Sequence, residues 1–229
     1  MGAKKNPSGE ELKVVLGLAS DRTSYRLLQR IIVVKKSEIT KRKIIDGAVY
    51  CLTHLGERET TFQRIADHCG VSQPLVVKYL KSREGIFDVV LEEIIEKAKT
   101  VTSESIKGSN SSTEALQRYF SASAEIVESD ENTARFLLLL HYLAGKDPKF
   151  KQIKSLIKKN AIDRIYGILE RGVTRGEFHP TLNIKDLALL IHNSIIGTLI
   201  NVLTEKNPPP LNETMTHLSR LILRELQVS

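Results

Sequence analysis

The stretch from Thr60 to Arg83 holds the side chains best suited to meet a double-helical polyanion. The Gln73 amide can pair bidentately with adenine N6 and N7, and Pro74 or Leu75 can press on a thymine methyl. Lys78, Tyr79 and Arg83 suit phosphate oxygens, as do the hydroxyls of Thr60, Thr61 and Ser72 and the free amides at helix starts, although Tyr79, three residues after Val76, could instead be core. Gln73, Pro74, Val77 and Lys78 would share one exposed face, and that face carries no carboxylate, as closeness to phosphate requires.

Two short helices must position these groups. Thr60 followed by Gln63 has the spacing of a capping box, opening a helix with Phe62, Ile65, Ala66 and Cys69 at i, i+3, i+4 and i+7. Gly70 can take positive φ and turn the chain sharply. Val71 can fill the angle, and Ser72 is the cap candidate for a second helix that turns Val76 and Leu80 inward. Two short helices joined by a three-residue turn containing glycine make a helix-turn-helix, which places the start of its second helix in the major groove. A plain αα-hairpin shares these turn and cap signals, so the charge distribution has to arbitrate.

That distribution is uneven. The 229 residues carry a formal charge of +7. Residues 1–83 hold 16 Lys and Arg against 8 Asp and Glu, whereas residues 84–229 hold 18 against 19. The whole excess lies in the first third, as expected for a module that meets nucleic acid on a near-neutral body. With 41% apolar residues the chain can build a core, and its 27% of charged residues gives no sign of global disorder. Two cysteines, Cys51 and Cys69, exclude a disulfide scaffold and suit a reducing cytoplasm. No secretory signal is expected at the amino terminus. The apolar stretch from Leu187 to Leu203 contains His192, Asn193, Ser194 and Asn201, so burial in protein is expected there and no membrane.

Between residues 40 and 90 the chain resembles the TetR family of bacterial transcriptional regulators. The residues that carry the likeness are Ile44-Ile45, Gly47-Ala48, Cys51-Leu52, Gly56, Thr60-Thr61, Ile65-Ala66, Gly70-Val71-Ser72, Val76-Val77, Leu80, Ser82-Arg83-Glu84 and Ile86, with spacing kept throughout. Three positions depart from the family pattern. Val77 stands where a backbone-contacting tyrosine is usual, Leu80 replaces a core phenylalanine, and Arg83 replaces a phosphate-binding lysine while keeping its charge. The resemblance implies an all-α fold, with an N-terminal three-helix DNA-binding domain followed by a larger helical domain for ligand binding and dimerisation.

The remaining sequence agrees in outline. A helix from Ser37 to Leu55 carries Lys41, Arg42 and Lys43 near its start, where they could touch flanking phosphates or simply be solvated. Ser82 opens a long helix that ends at the loop 108–112. Further helices are expected near 113–128, 132–145, 148–175, 183–205 and 211–227, with Arg175 to Pro180 and Pro208 to Pro210 as separators. The expected division is an N-terminal extension over 1–36, partly helical, a helix-turn-helix domain over 37–83, and an effector-binding and dimerisation domain over 84–229. Arg22, Arg26, Arg30, Lys35 and Lys36 could line a minor groove, or the extension could cover the body. Ile31 to Val34 is the one short run that could be read as strand.

The helices near 183–205 and 211–227 are expected to form a homodimer, because a reader of this size needs two half-sites about 34 Å apart. The resemblance implies a small-molecule effector pocket. Phe120, Phe136, His141, Tyr142, Tyr166 and Asn193 are its candidate lining, although each alone could equally be core or surface. The expected function is a cytoplasmic, palindrome-binding regulator, read as a repressor released by its effector, with double-stranded DNA as partner and no cofactor. Three other readings compete with it. Cys51, His54, His68 and Cys69 could hold a metal only if all four converged, and no metal is expected. An enzyme would need a catalytic constellation that does not stand out, so none is expected. A helical adaptor with a basic face would bind acidic proteins instead.

Overall fold

The computed structural model describes residues 22–226, with side chains from Ser37 onward apart from Glu131. The described residues form nine helices and no strand: α1 (Arg22–His54), α2 (Phe62–Cys69), α3 (Gln73–Leu80), α4 (Arg83–Ile106), α5 (Ser112–Glu128), α6 (Glu131–Ala144), α7 (Pro148–Thr174), α8 (Ile184–Thr204) and α9 (Leu211–Glu225). Most boundaries fall within two residues of those expected. α1 is the exception, running unbroken from Arg22 through Ser37. No Gly or Pro lies between Arg22 and Ile45 to stop it, and the Ile31 to Val34 run is absorbed as helix. Lys41, Arg42 and Lys43 therefore sit inside α1 and do not begin it. Expectations for residues 1–21, and for the side chains of Arg22, Arg26, Arg30, Lys35 and Lys36, lie outside the described residues.

Local chemistry fixes the helix starts. The hydroxyls of Thr61, Ser82 and Ser111 accept from the amides of Arg64, Gly85 and Glu114, and Asp147 caps α7 ahead of Pro148. Each such cap contributes about 1 kcal/mol. Asp130 caps α6 through the amides of Asn132 and Thr133 and reaches Lys97 of α4 at 3.1 Å. Burial works to raise its pKa, but hydrogen bonds from Thr133 and Lys97 outweigh it and hold the carboxyl below the usual carboxylate range.

Two cores result. The first gathers Ile44, Ala48, Leu52, Ile65, Ala66, Val76 and Leu80 of α1–α3 with Ile86, Phe87 and Val90 of α4. Phe136 and Leu140 of α6 and Phe150 of α7 also enter it. Phe87 meets Phe136 in a tilted contact at 4.9 Å and Phe150 edge-on at 4.6 Å, which fuses the first three helices to the body. The second core joins Leu116 and Phe120 of α5, Ile165 and Leu169 of α7, Leu187 and Ile191 of α8, and Met215 of α9. Between α7 and α8 the Phe178 ring lies over Gly172, where a β-carbon would fall 2.0 Å from it. His179 then donates to the Leu226 carbonyl at 2.9 Å, tying this turn to the end of α9.

Candidate nucleic-acid interface

α2 and α3 meet at Gly70, whose φ of 59° and ψ of 43° are left-handed. The Gly70 amide donates to the Asp67 carbonyl at 3.2 Å and the Val71 amide to the Ala66 carbonyl at 3.0 Å, the bond pattern of a Schellman turn. The turn is thus set by backbone bonds, and the angle between the helices is filled by Ile65, Ala66 and Cys69 against Val76 and Leu80. A rigid angle of this kind leaves one side of α3 with no protein neighbour.

On that side stand Ser72, Gln73, Pro74, Val77 and Lys78, all exposed. Ser72 holds the cap position by its backbone, but its hydroxyl makes no capping bond and stays available. Leu75 is half-buried and packs against the first core. Lys81 follows α3 at a φ of 64° and is exposed, adding a cation to the edge that the sequence reading did not single out. Its signal was present, since Lys81 lies between Lys78 and Arg83, but its orientation depends on the bend between α3 and α4.

Two of the expected contacts are corrected. Thr60 is buried and its hydroxyl donates to the Gly56 carbonyl at 2.8 Å, so it faces inward; Thr61 is the cap of α2, and Gln63 bonds Asp67 instead of closing a capping box. Tyr79 is half-buried, with its hydroxyl 3.0 Å from the Ser37 hydroxyl and donating to the Ser37 carbonyl at 3.3 Å, so it ties α3 to α1. Arg83 remains exposed and donates through Nη2 to the Arg58 carbonyl, pinning the loop before α2 to the start of α4. Of the basic residues within α1, Lys41 pairs with Glu93 of α4 at 3.6 Å.

The residues of the metal reading are placed otherwise. Cys51 and Cys69 are buried, and burial raises both thiols above their ordinary pKa. The Cys69 thiol donates to the Lys43 carbonyl at 3.3 Å. His54 and His68 stack on the Tyr50 ring, each 4.1 Å from its centre.

The six effector candidates do not line one pocket. Phe120 is buried in the second core, and Phe136 belongs to the first. Tyr142 is 58% exposed, Asn193 is exposed on the outer side of α8, and the Tyr166 hydroxyl donates to Glu170. Helical spacing placed them on helices but could not say which face met which neighbour. Only His141 borders an internal crevice, formed by Val127, Leu137, Leu138, Ile196, Leu199, Ile200 and Leu203 between α5, α6 and α8. The crevice is closed to about 20 Å³, room for about one water molecule. Burial lowers the His141 pKa, and its Nδ1 lies 2.8 Å from the Leu137 carbonyl.

Beside this crevice lie charged residues that sequence reasoning missed. His192 stands one turn before Ile196 on α8, and its pKa is lowered to about 4 by burial and by the charges of Lys158, His141, Arg164 and Lys154. Arg164 of α7 acts on buried Tyr119 of α5, and its Nε is buried without a hydrogen-bond partner. Burial raises the Tyr119 hydroxyl above its ordinary pKa, with Arg164 opposing.

The outer side of α8 is open and carries Leu189 and Leu190 beside Asn193 and Asn201. α8 is long and apolar enough to cross a membrane, yet only 28% of its most apolar stretch is buried within the protomer. Leu190 is 49% exposed there, and Leu221 of the neighbouring α9 is 60% exposed.

The family described as bacterial regulatory proteins, tetR family, matches residues 44–90. The fatty acid metabolism regulator protein of Bacillus subtilis is 25% identical over 162 residues, covering 71% of this chain and 80% of that protein. Among solved structures, the transcriptional regulator FadR from Bacillus subtilis in complex with stearoyl-CoA superposes with a TM-score of 0.64 at 23% identity, over 80% of this chain and 98% of that one. The fatty acid degradation regulator FadR from Bacillus halodurans gives 0.70 at 16% identity, over 83% and 97%. The ketosteroid regulator KstR2 of Mycobacterium tuberculosis gives 0.60 at 21%, over 80% and 93%. These structural likenesses concern the fold.

Proposed function

We infer that this chain is a transcriptional regulator of the TetR family, and not an enzyme, which binds an operator as a homodimer and responds to a small-molecule effector. The observation that carries the reading is the α3 face, where Ser72, Gln73, Pro74, Val77 and Lys78 project from a helix whose angle is locked by the Gly70 turn. Residues 37–83 form the reader and residues 84–229 the body. Gln73 reads base edges, Lys78, Lys81 and Arg83 meet phosphates, and α8 and α9 of two copies pair over Leu190 and Leu221. The protein works in solution in the cytoplasm, and repression relieved by effector is its mode. The relatives support a fatty acyl-CoA as the effector class.

α6 is the element that can link the two activities. One side sends Phe136 and Leu140 into the reader's core, and another sends Leu137, Leu138 and His141 to the crevice. A ligand that opens the crevice by displacing α6 also moves the Phe136 ring against Phe87 of α4. Effector and DNA then favour different α6 positions, and the affinity of each falls by the same factor when the other is bound. In vitro selection from random duplexes tests the reading. A palindrome with half-sites about one helical turn apart, bound more weakly once stearoyl-CoA is added, is expected. Enrichment of no sequence at low salt would refute it.

A further inference from the structure

The reader and the body also meet at a polar joint. A small cleft there is walled by Arg42 and Asp46 of α1, Glu93 and Lys97 of α4, and Asp130 with Thr133 at the start of α6. Ile45, Val49 and Ile94 line it beside them, so these charges share a partly apolar gap of about 30 Å³, room for about one water molecule. Asp130 is fully engaged. Its Oδ1 accepts from the amides of Asn132 and Thr133, and its Oδ2 from the Thr133 hydroxyl at 2.7 Å and from Lys97 at 3.1 Å. Glu93 has Lys41 at 3.6 Å. Among the described residues the Asp46 carboxylate makes no hydrogen bond and no ion pair. Partial burial raises its pKa, the charge of Asp130 across the joint raises it further and Glu93 adds to both, while Arg42 and Lys97 oppose. Arg42 lies one turn before Asp46 on the same helix and travels with it, so it offsets that charge without tethering α1 to α6. Lys97 belongs to a third helix and already bonds Asp130, so it can hold both carboxylates in place.

We propose that Lys97 is a positioning residue for operator binding: its ammonium, bonded to Asp130 and facing Asp46 in the same cleft, keeps the capped start of α6 seated against α1 and so fixes the reader on the body. The proposal rests on the regulator reading and adds to it the residues that hold the reader in place. Two carboxylates in a confined, partly apolar gap repel unless a cation compensates them. Without the Lys97 charge that repulsion parts the first turn of α6 from α1, and neutralising Asp46 relieves it. α6 carries Phe136 and Leu140 into the reader's core one and two turns after Thr133, so a shift at its start reaches the packing of α1 and α4. The sign of the pH response follows from the same groups. Asp46 faces Arg42 of its own helix, Glu93 and Lys97 of α4, and Asp130 at the cap of α6. Removing the Lys97 cation raises the Asp46 pKa further, so mild acid neutralises Asp46 and closes the joint again.

Operator affinity and amide hydrogen exchange of the full chain test this in Lys97→Met, Lys97→Arg and the double variant Lys97→Met with Asp46→Asn. Lys97→Met keeps the side chain's length without its charge. It is expected to weaken operator binding about fivefold or more at pH 7.5, and to speed exchange in the first two turns of α6 about threefold or more. Lys97→Arg keeps the charge and should stay within about twofold of the parent in both measurements. Adding Asp46→Asn to Lys97→Met should restore both to within about twofold, a rescue that a general loss of packing would not show. Lowering the pH from 7.5 to 5.5 should return about threefold of operator affinity to Lys97→Met relative to the parent, and none to the double variant. Unchanged affinity in Lys97→Met, faster exchange without loss of affinity, or no rescue by Asp46→Asn overturns the inference. Each of those failures leaves operator binding by the parent intact, whereas a parent that binds no operator refutes the regulator reading and this inference with it.

Discussion

Gly47 and Cys69 should behave as a coupled pair, and the coupling can be sized from their contact. Gly47 is buried in the last third of α1, where a β-carbon would lie 2.2 Å from the Cys69 sulfur and 3.3 Å from His68 Cδ2. Non-bonded heavy atoms rest comfortably at about 3.5–4 Å, so Gly47→Ala must push the sulfur away by more than an ångström. That movement strains a well-packed core by roughly 1–3 kcal/mol and breaks the thiol's bond to the Lys43 carbonyl. Against it stands the gain of about 1 kcal/mol from replacing glycine inside a helix. The single variant should therefore lose about 1 kcal/mol or more. Cys69→Ala alone removes one buried sulfur and should lose about 1 kcal/mol. In the double variant the new methyl occupies the vacated space and the helix gain is kept, so stability should return close to that of the parent. The expected non-additivity is about 2 kcal/mol. Urea unfolding followed by far-ultraviolet circular dichroism under reducing conditions measures all four corners of the cycle. Additive losses, or a Gly47→Ala protein more stable than the parent, would show that the sulfur yields freely and that the packing argument is wrong.

Three further outcomes are expected. Leu190→Arg with Leu221→Arg places charge on the open α8–α9 face and should give a monomer by sedimentation, with operator affinity down more than tenfold; a dimer of unchanged strength would place the interface elsewhere. Lys78→Ala should weaken all duplexes alike and reduce the slope of log affinity against log salt by about one, whereas Gln73→Ala should cost about 1–3 kcal/mol at one base pair and leave that slope unchanged. The His192 pKa lies near 4 in the folded chain and near 6.5 unfolded, so between these values only the unfolded chain is protonated. Stability should fall as pH drops from about 6.5 to 4, by roughly 1.5 kcal/mol after allowing for solvent screening at a half-buried ring, and His192→Gln should flatten that part of a denaturation-against-pH profile.

The helix-turn-helix was legible because its determinants are local. A left-handed glycine at position 70, a cap-type residue at 72 and apolar residues three and four apart decide the turn and the buried face within about twenty residues of chain. Locality also marks where reading failed. Thr60 and Thr61 are equally good caps by type, and only the fold of the loop after Gly56 turned the first inward and left the second on the helix. Tyr79 could face phosphate or protein until α1 placed Ser37 within reach.

The body shows the same division at longer range. Sequence periodicity placed α5 to α9 nearly to the residue and marked α8 as an apolar stretch interrupted by His192, Asn193, Ser194 and Asn201. The six candidates Phe120, Phe136, His141, Tyr142, Tyr166 and Asn193 were chosen by residue type, and they scattered between two cores and the surface because type does not fix a helix's rotation against its neighbours. The cluster of His141, Lys154, Lys158, Arg164 and His192 spans three helices and more than fifty residues of chain. Composition and spacing therefore determined the helices, the turn and the basic reader, all of which follow from backbone torsions and the 3.6-residue repeat. Which charges and which apolar faces came together was decided by interhelical packing, since contacts between distant segments depend on crossing angles that no local pattern encodes.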